Sequence, residues 1–167
     1  MPPRLILVGP PGSGKSTAAR LVAERLGTTW RDTDDDVERA AGATISDIFV
    51  DHGEAKFREL ESTAVTTAVV EHDGVLAVGG GAVLDPGNRN QLAGRTVVFL
   101  DVSITDAAKR IGFNRDRPLL LGNPRAQWVR LMEARRPLYE QVASFTVSTD
   151  GKSPDEGADE VVARVSS

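Results

Sequence analysis

The sequence predicts one three-layer α/β domain built on a parallel sheet. Three observations carry that prediction. Apolar runs of four residues at 5–8, 75–78 and 97–100 end directly in glycine or aspartate, as strands buried on both faces do. Longer segments with helical spacing separate these runs, the alternation that builds βαβ units. A length of 167 residues, 40% hydrophobic and 26% charged, suits a single globular domain spanning 1–167.

Taken in order, Leu5-Ile6-Leu7-Val8 is the first strand, and a helix follows from Lys15 with Ala18, Leu21, Val22 and Leu26 on one face and Gly27 as its stop. Residues 28–32 form a weaker strand. Helical segments are expected at 34–41, 45–51 and 53–72, the last carrying Phe57, Leu60, Ala64 and Ala68 at helical spacing. Strand 75–78 runs into Gly79-Gly80-Gly81, and strand 97–100 into Asp101. A helix at 104–111 closes on Gly112. Residues 112–124, rich in glycine, asparagine and proline, read as a loop or lid. A helix at 125–142 and a strand at 145–149 follow. Ser153-Pro154-Asp155-Glu156 is a capping box opening the last helix, whose apolar stripe is Ala158, Val161, Val162 and Val165.

Composition removes several classes of function. There is no cysteine, so disulfides, thiolate catalysis and Cys-ligated metals are excluded, and His52 and His72 alone make a zinc site improbable. A net charge of −4 argues against general nucleic-acid binding. No apolar run reaches the roughly 18–20 residues needed to span a bilayer, and the N-terminal run is too short for a signal peptide. The expectation is a cytoplasmic protein with no membrane or nucleic-acid partner. The absence of a long exposed apolar stripe favours a monomer.

Charge placement is more informative than its total. Seven of sixteen arginines (Arg110, Arg115, Arg117, Arg125, Arg130, Arg135 and Arg136) fall within 110–136, opposed there only by Asp116 and Glu133. Arginine's planar fork suits carboxylate and phosphate, so the cluster suggests anion capture. Any one of these side chains, taken alone, fits a solvated helix face equally well.

The sharpest motif is Gly9-Pro10-Pro11-Gly12-Ser13-Gly14-Lys15-Ser16, which matches G-x-x-x-x-G-K-[ST] at every fixed position. Its glycines let backbone N–H groups turn inward toward phosphate oxygens, and the following helix adds its positive end. Lys15 then reaches the β- and γ-phosphates while Ser16 ligates Mg²⁺. The strand before it and the helix after it are the context the motif requires.

Asp32-Thr33-Asp34 ends the second strand, at the sheet edge where ligands gather in open α/β folds. One carboxylate there suits Mg²⁺, held directly or through water, and the other suits the proton of an attacking hydroxyl. The same residues also read as a helix N-cap with an acidic first turn. With Asp35 and Asp36 extending the run, spacing leaves open which carboxylate faces substrate. Gly79-Gly80-Gly81 would let a substrate lie against bare backbone, or simply make a tight turn.

Among nucleotide binders a GTPase switch is excluded, since no asparagine precedes a lysine and no Asp-x-x-Gly occurs. A remodelling ATPase is normally larger. A short chain with an arginine-bearing lid fits a small-molecule kinase whose lid closes over ATP.

On these residues together with Ser46-Asp47-Ile48-Phe49, Phe57-Arg58, Arg117-Pro118-Leu119 and Arg136-Pro137-Leu138-Tyr139, the chain resembles the shikimate kinase family over almost its whole length. The resemblance implies a P-loop kinase fold, a five-stranded parallel sheet flanked by helices, with a mobile lid near 112–124 and an acceptor-binding region near 33–61. It implies transfer of the ATP γ-phosphoryl group to the 3-hydroxyl of shikimate, in aromatic amino-acid (chorismate) biosynthesis, with Mg²⁺ as cofactor. ATP would be bound by Gly12, Ser13, Gly14, Lys15, Ser16, Thr17, Arg110 and Arg117, and the metal by Ser16 and Asp32. Asp34, Phe49, Phe57, Arg58, Gly79, Gly80, Gly81 and Arg136 would hold shikimate. Its carboxylate would lie between Arg58 and Arg136. Asp34, Lys15 and Arg117 would act on the reacting groups, Asp34 as base or as orienting group. Another small-molecule kinase, such as a gluconate kinase, is the nearest rival; a nucleotide-binding regulator without turnover is a more distant one.

Overall fold

The computed structural model describes residues 3–112 and 123–166. Five strands, β1 (Leu5–Val8), β2 (Trp30–Asp32), β3 (Val75–Ala77), β4 (Val97–Asp101) and β5 (Phe145–Ser148), form one sheet in the order β2-β3-β1-β4-β5. Every neighbouring pair is parallel. All strands therefore end on the same side, and the chain completes β2 and β3 on one side of β1 before crossing to β4.

Among the described residues, seven helical elements cover the sheet: α1 (Lys15–Leu26), α2 (Thr33–Ala41), α3 (Ile45–Glu71), α4 (Pro86–Leu92), α5 (Ile104–Ile111), α6 (Pro124–Val142) and α7 (Pro154–Val165). The pleat of β1 shows the three layers directly. Leu5 and Leu7 pack with Leu21 and Val22 of α1 and Val161 of α7. Ile6 and Val8 point to the other face, against Val65 of α3, Leu92 of α4 and Trp128 and Tyr139 of α6. A smaller cluster of Val37, Ile48, Phe57 and Ala64 joins α2 to α3.

The two helices expected at 45–51 and 53–72 make up α3, and the helical backbone breaks between them at Gly53, with φ 84° and ψ 171°. The stops at Gly27 and Gly112 hold, both in the left-handed conformation. So does the capping box: Glu156 N donates to Ser153 Oγ, and Ser153 N to Glu156 Oε1. The 3₁₀ turn Ala82–Leu84 and α4 have no counterpart in the sequence reading. Their signal was Asp85-Pro86, a capping carboxylate followed by a first-turn proline. No helix among the described residues is long and apolar enough to cross a membrane.

Candidate active site

The motifs meet because parallel strands bring three loops to one edge. The loop after β1 carries the glycines, the end of β2 carries Asp32, and the loop after β3 carries Gly79-Gly80-Gly81. A cavity of about 610 Å³ lies there, lined by Gly12 through Thr17, Asp32 and Asp34, and also by Arg110, Thr149, Lys152 and Pro154.

Lys15 donates to the carbonyls of Gly9 (2.8 Å) and Pro10 (3.3 Å). Burial pushes its ammonium down to about 8, against the pull of Asp34 and Asp32. Ser16 Oγ donates to Asp32 Oδ2. The other oxygen of Asp32 accepts from Asp34 N at 2.8 Å, so Asp32 caps α2 and faces the phosphate loop at once. The helix N-cap reading of Asp32 holds. The Ser13 side chain is buried and its hydroxyl has no hydrogen-bond partner among the described residues.

The acidic run after Asp32 divides by environment. Asp36 is buried and ion-paired to Arg31 (2.7 Å) and Arg39 (3.2 Å), and Asp35 is exposed. Asp34 alone of the three lines the cavity. Burial pushes its carboxyl up to about 6, the Asp32 charge adding to the rise and Lys15 opposing it. A hydroxyl-plus-carboxylate pair fits Mg²⁺, which keeps several waters and takes substrate phosphates alongside one or two protein ligands. No cluster of three or more acidic or histidine side chains suited to a closed metal cage occurs among the described residues.

Beyond Asp34 the site turns basic. Arg58 on α3 packs against Gly81, so closely that a Cβ there would collide with its guanidinium. Arg58 is held by Glu61 (2.8 Å) and Glu54 (3.3 Å) and lies over the Phe57 ring. Phe57 is buried and meets the half-exposed Phe49 ring at 4.8 Å.

Arg136 is not brought to this site. Its guanidinium makes a bidentate pair with Asp101 (2.9 and 3.0 Å) and covers Phe99, on the side of α6 that faces a separate recess beside Val102 and Ser103. Arg135 takes the position instead: its Nη1 lies 3.6 Å from where a Gly80 Cβ would sit, and its charge acts on Lys15, Glu61 and Tyr139. The helical register explains the exchange. Trp128, Met132, Arg135 and Tyr139 recur at intervals of four, three and four, forming the inward stripe of α6. Position 136 lies beside that stripe. Arg110 reaches the cavity as expected, donating to Gly12 O and to Thr149. Arg117 lies outside the described residues.

The family model for shikimate kinase matches residues 11–166. The chain belongs to that family. The shikimate kinase of Streptomyces avermitilis is 59% identical over 160 residues, covering 96% of this chain and 94% of the relative. That of Streptomyces coelicolor is 58% identical over 92% of this chain and 90% of its own. A solved shikimate kinase from Acinetobacter baumannii, in complex with shikimate, superposes with a TM-score of 0.91 at 36% identity, covering 99% of this chain and 93% of its own. A gluconokinase from Sinorhizobium meliloti reaches a TM-score of 0.60 at 19% identity, a likeness of fold.

Three residues beside this candidate site had no site role in the sequence reading: Glu61, Tyr139, and Arg135, which as the neighbour of Arg136 was expected to face solvent and instead lies beside Gly80. Glu61 stands one helical turn beyond Arg58, and Tyr139 donates its hydroxyl to Gly80 O at 2.6 Å. For all three the available signal was the helical register linking a polar side chain to buried neighbours.

Proposed function

We propose that the chain transfers the γ-phosphoryl group of ATP to the 3-hydroxyl of shikimate, giving shikimate 3-phosphate and ADP. The observation that carries the reading is one edge of the sheet with a phosphate loop, a raised-pKa carboxylate at Asp34 and two arginines, Arg58 and Arg135, around Gly80 and Gly81.

ATP enters with its phosphates on the loop and its base toward Arg110 and Pro154, which line the same cavity. The anionic phosphates favour the charged form of Lys15 and offset its burial. Shikimate is a carboxylate on a hydroxylated ring, so its two ends need opposite partners. The carboxylate lies with Arg58 and Arg135, and the Phe49–Phe57 pair walls the ring. Asp34 then accepts a hydrogen bond from the 3-hydroxyl. Phosphoryl transfer passes through a loose transition state, so orienting that oxygen in line matters before its proton is removed. Asp34 receives the proton as the new P–O bond forms. Lys15, and Arg117 from the segment after α5, balance charge on the transferring group. Ser16 and Asp32 would hold Mg²⁺, which supplies charge neutralisation at the phosphate oxygens.

ADP release measured with shikimate, gluconate, AMP or no acceptor tests the proposal. Release that requires shikimate is expected. Release with gluconate or AMP instead would overturn the acceptor assignment, and nucleotide binding without turnover on any acceptor would favour a regulatory protein.

A further inference from the structure

We propose that Trp128 is a positioning residue for the nucleotide loop, setting through its indole N–H the peptide that presents Gly12 N–H to phosphate. This rests on the ATP-binding reading above. A loop whose N–H groups face a ligand must turn its carbonyls the other way, and each of those needs a donor. Four consecutive carbonyls find side-chain donors here. Gly9 O and Pro10 O accept from Lys15, Pro11 O accepts from Trp128 Nε1 at 3.0 Å, and Gly12 O accepts from Arg110 at 3.0 Å.

The Trp128 bond differs from the others in two ways. Its donor is 7% exposed and locked in the main core with Met132, Tyr139 and Ala107, so it has little freedom to follow the loop. It also grips the peptide joining Pro11 to Gly12. In a planar trans peptide the C=O and the next N–H point in opposite directions. Gly12 lines the cavity and Trp128 does not, so holding Pro11 O on the core side turns Gly12 N–H toward the cavity. The same inward stripe of α6 carries Arg135 beside Gly80 and Tyr139 on Gly80 O. One helix thus sets the nucleotide loop at its start and the acceptor loop further along.

The test exchanges the N–H for sulfur without changing shape. Trp30, on edge strand β2, is replaced (Trp30→Phe) to leave Trp128 as the sole tryptophan, and benzothienylalanine is incorporated in its place. MgADP affinity is read by calorimetry, and acceptor KM and Tm are measured beside it. The expected result is a loss of about five- to tenfold in MgADP affinity, the worth of one hydrogen bond to a buried group. Acceptor KM should stay within about twofold and Tm within about 2 °C. Trp128→Phe should show the same nucleotide-selective loss. Unchanged MgADP affinity would overturn the proposal, and so would an equal loss for nucleotide and acceptor with a lowered Tm, which marks packing alone. Failure of the Trp30→Phe parent itself to bind MgADP would overturn the nucleotide reading on which this one stands.

Discussion

Arg58 and Glu61 lie one turn apart on α3, joined by an Nη1–Oε1 contact of 2.8 Å, with the Glu61 side chain 2% exposed. Burial pushes the Glu61 carboxyl up and Arg58 draws it back down, so the pair holds a charged guanidinium at a fixed place beside Gly81. Glu61 therefore acts through Arg58. Glu61→Gln keeps the shape and one acceptor oxygen but removes the charge. Acceptor KM should rise about tenfold, the scale of one charge-assisted hydrogen bond, with MgADP affinity unchanged. Parallel calorimetry with nucleotide and acceptor checks it; a matching fall in both affinities would show that Glu61 supports the whole edge of the sheet instead.

The two adjacent arginines of α6 give a sharper contrast. Arg135→Ala should raise acceptor KM by about ten- to a hundredfold, the cost of losing one arm of a carboxylate clamp. Arg136→Ala should leave it within about twofold, because that side chain is committed to Asp101 and Phe99. Steady-state kinetics on the two variants decides it, and a larger acceptor effect from Arg136 would reverse the assignment.

That exchange shows what sequence conveys about this site. Strands, phosphate loop, helix stops and capping box were legible because each depends on neighbours within a few residues. The choice between Arg135 and Arg136 depends on helical register, which places 135 on the stripe of Trp128, Met132 and Tyr139. Which of the acidic neighbours lines the cavity was not legible in the run itself: Asp34 does, whereas Asp36 is taken up by Arg31 and Arg39. The family resemblance drew attention to Arg58, whose place beside Gly81 follows, whereas its ion-pair partner Glu61 carried no local motif.

Asp34 gives a prediction with a definite sign in pH. Its native pKa of about 6 lies above the ordinary 3.8, mainly through burial. Protonation therefore stabilises the native state: that contribution is full below about 4 and gone above about 6. In chelator, Asp34→Asn should raise Tm near pH 7.5, by an amount corresponding to at most about 3 kcal/mol, and the difference should shrink toward pH 4. Activity runs the opposite way. The carboxylate is the working form, so kcat/KM of the wild type should fall as pH drops through about 6. Asp34→Asn should bind ATP yet lose about 10²–10⁴ in kcat. Near-normal kcat would show that another group orients the hydroxyl.

Gly79 and Gly81 make different demands although two residues apart. Neither has a positive φ, so alanine is acceptable to the backbone at both and only the space around Cβ matters. At Gly79 a Cβ would sit 2.5 Å from Asp34 Oδ1 and 2.9 Å from Glu61 Oε2. The backbone cannot retreat easily, because Gly79 N donates to Thr33 Oγ1 at 3.1 Å and Thr33 is fully buried. The methyl must displace Asp34, so Gly79→Ala should lower kcat about a hundredfold, in the range lost when a base is misplaced. At Gly81 the group in the way is the end of the Arg58 side chain, which can swing aside. Gly81→Ala should therefore act on acceptor KM, with kcat at saturating acceptor within about threefold. Measuring kcat and acceptor KM for both variants separates the two effects. A fall in kcat for Gly81→Ala as large as for Gly79→Ala would mean that Arg58 contributes to the transition state as well as to binding.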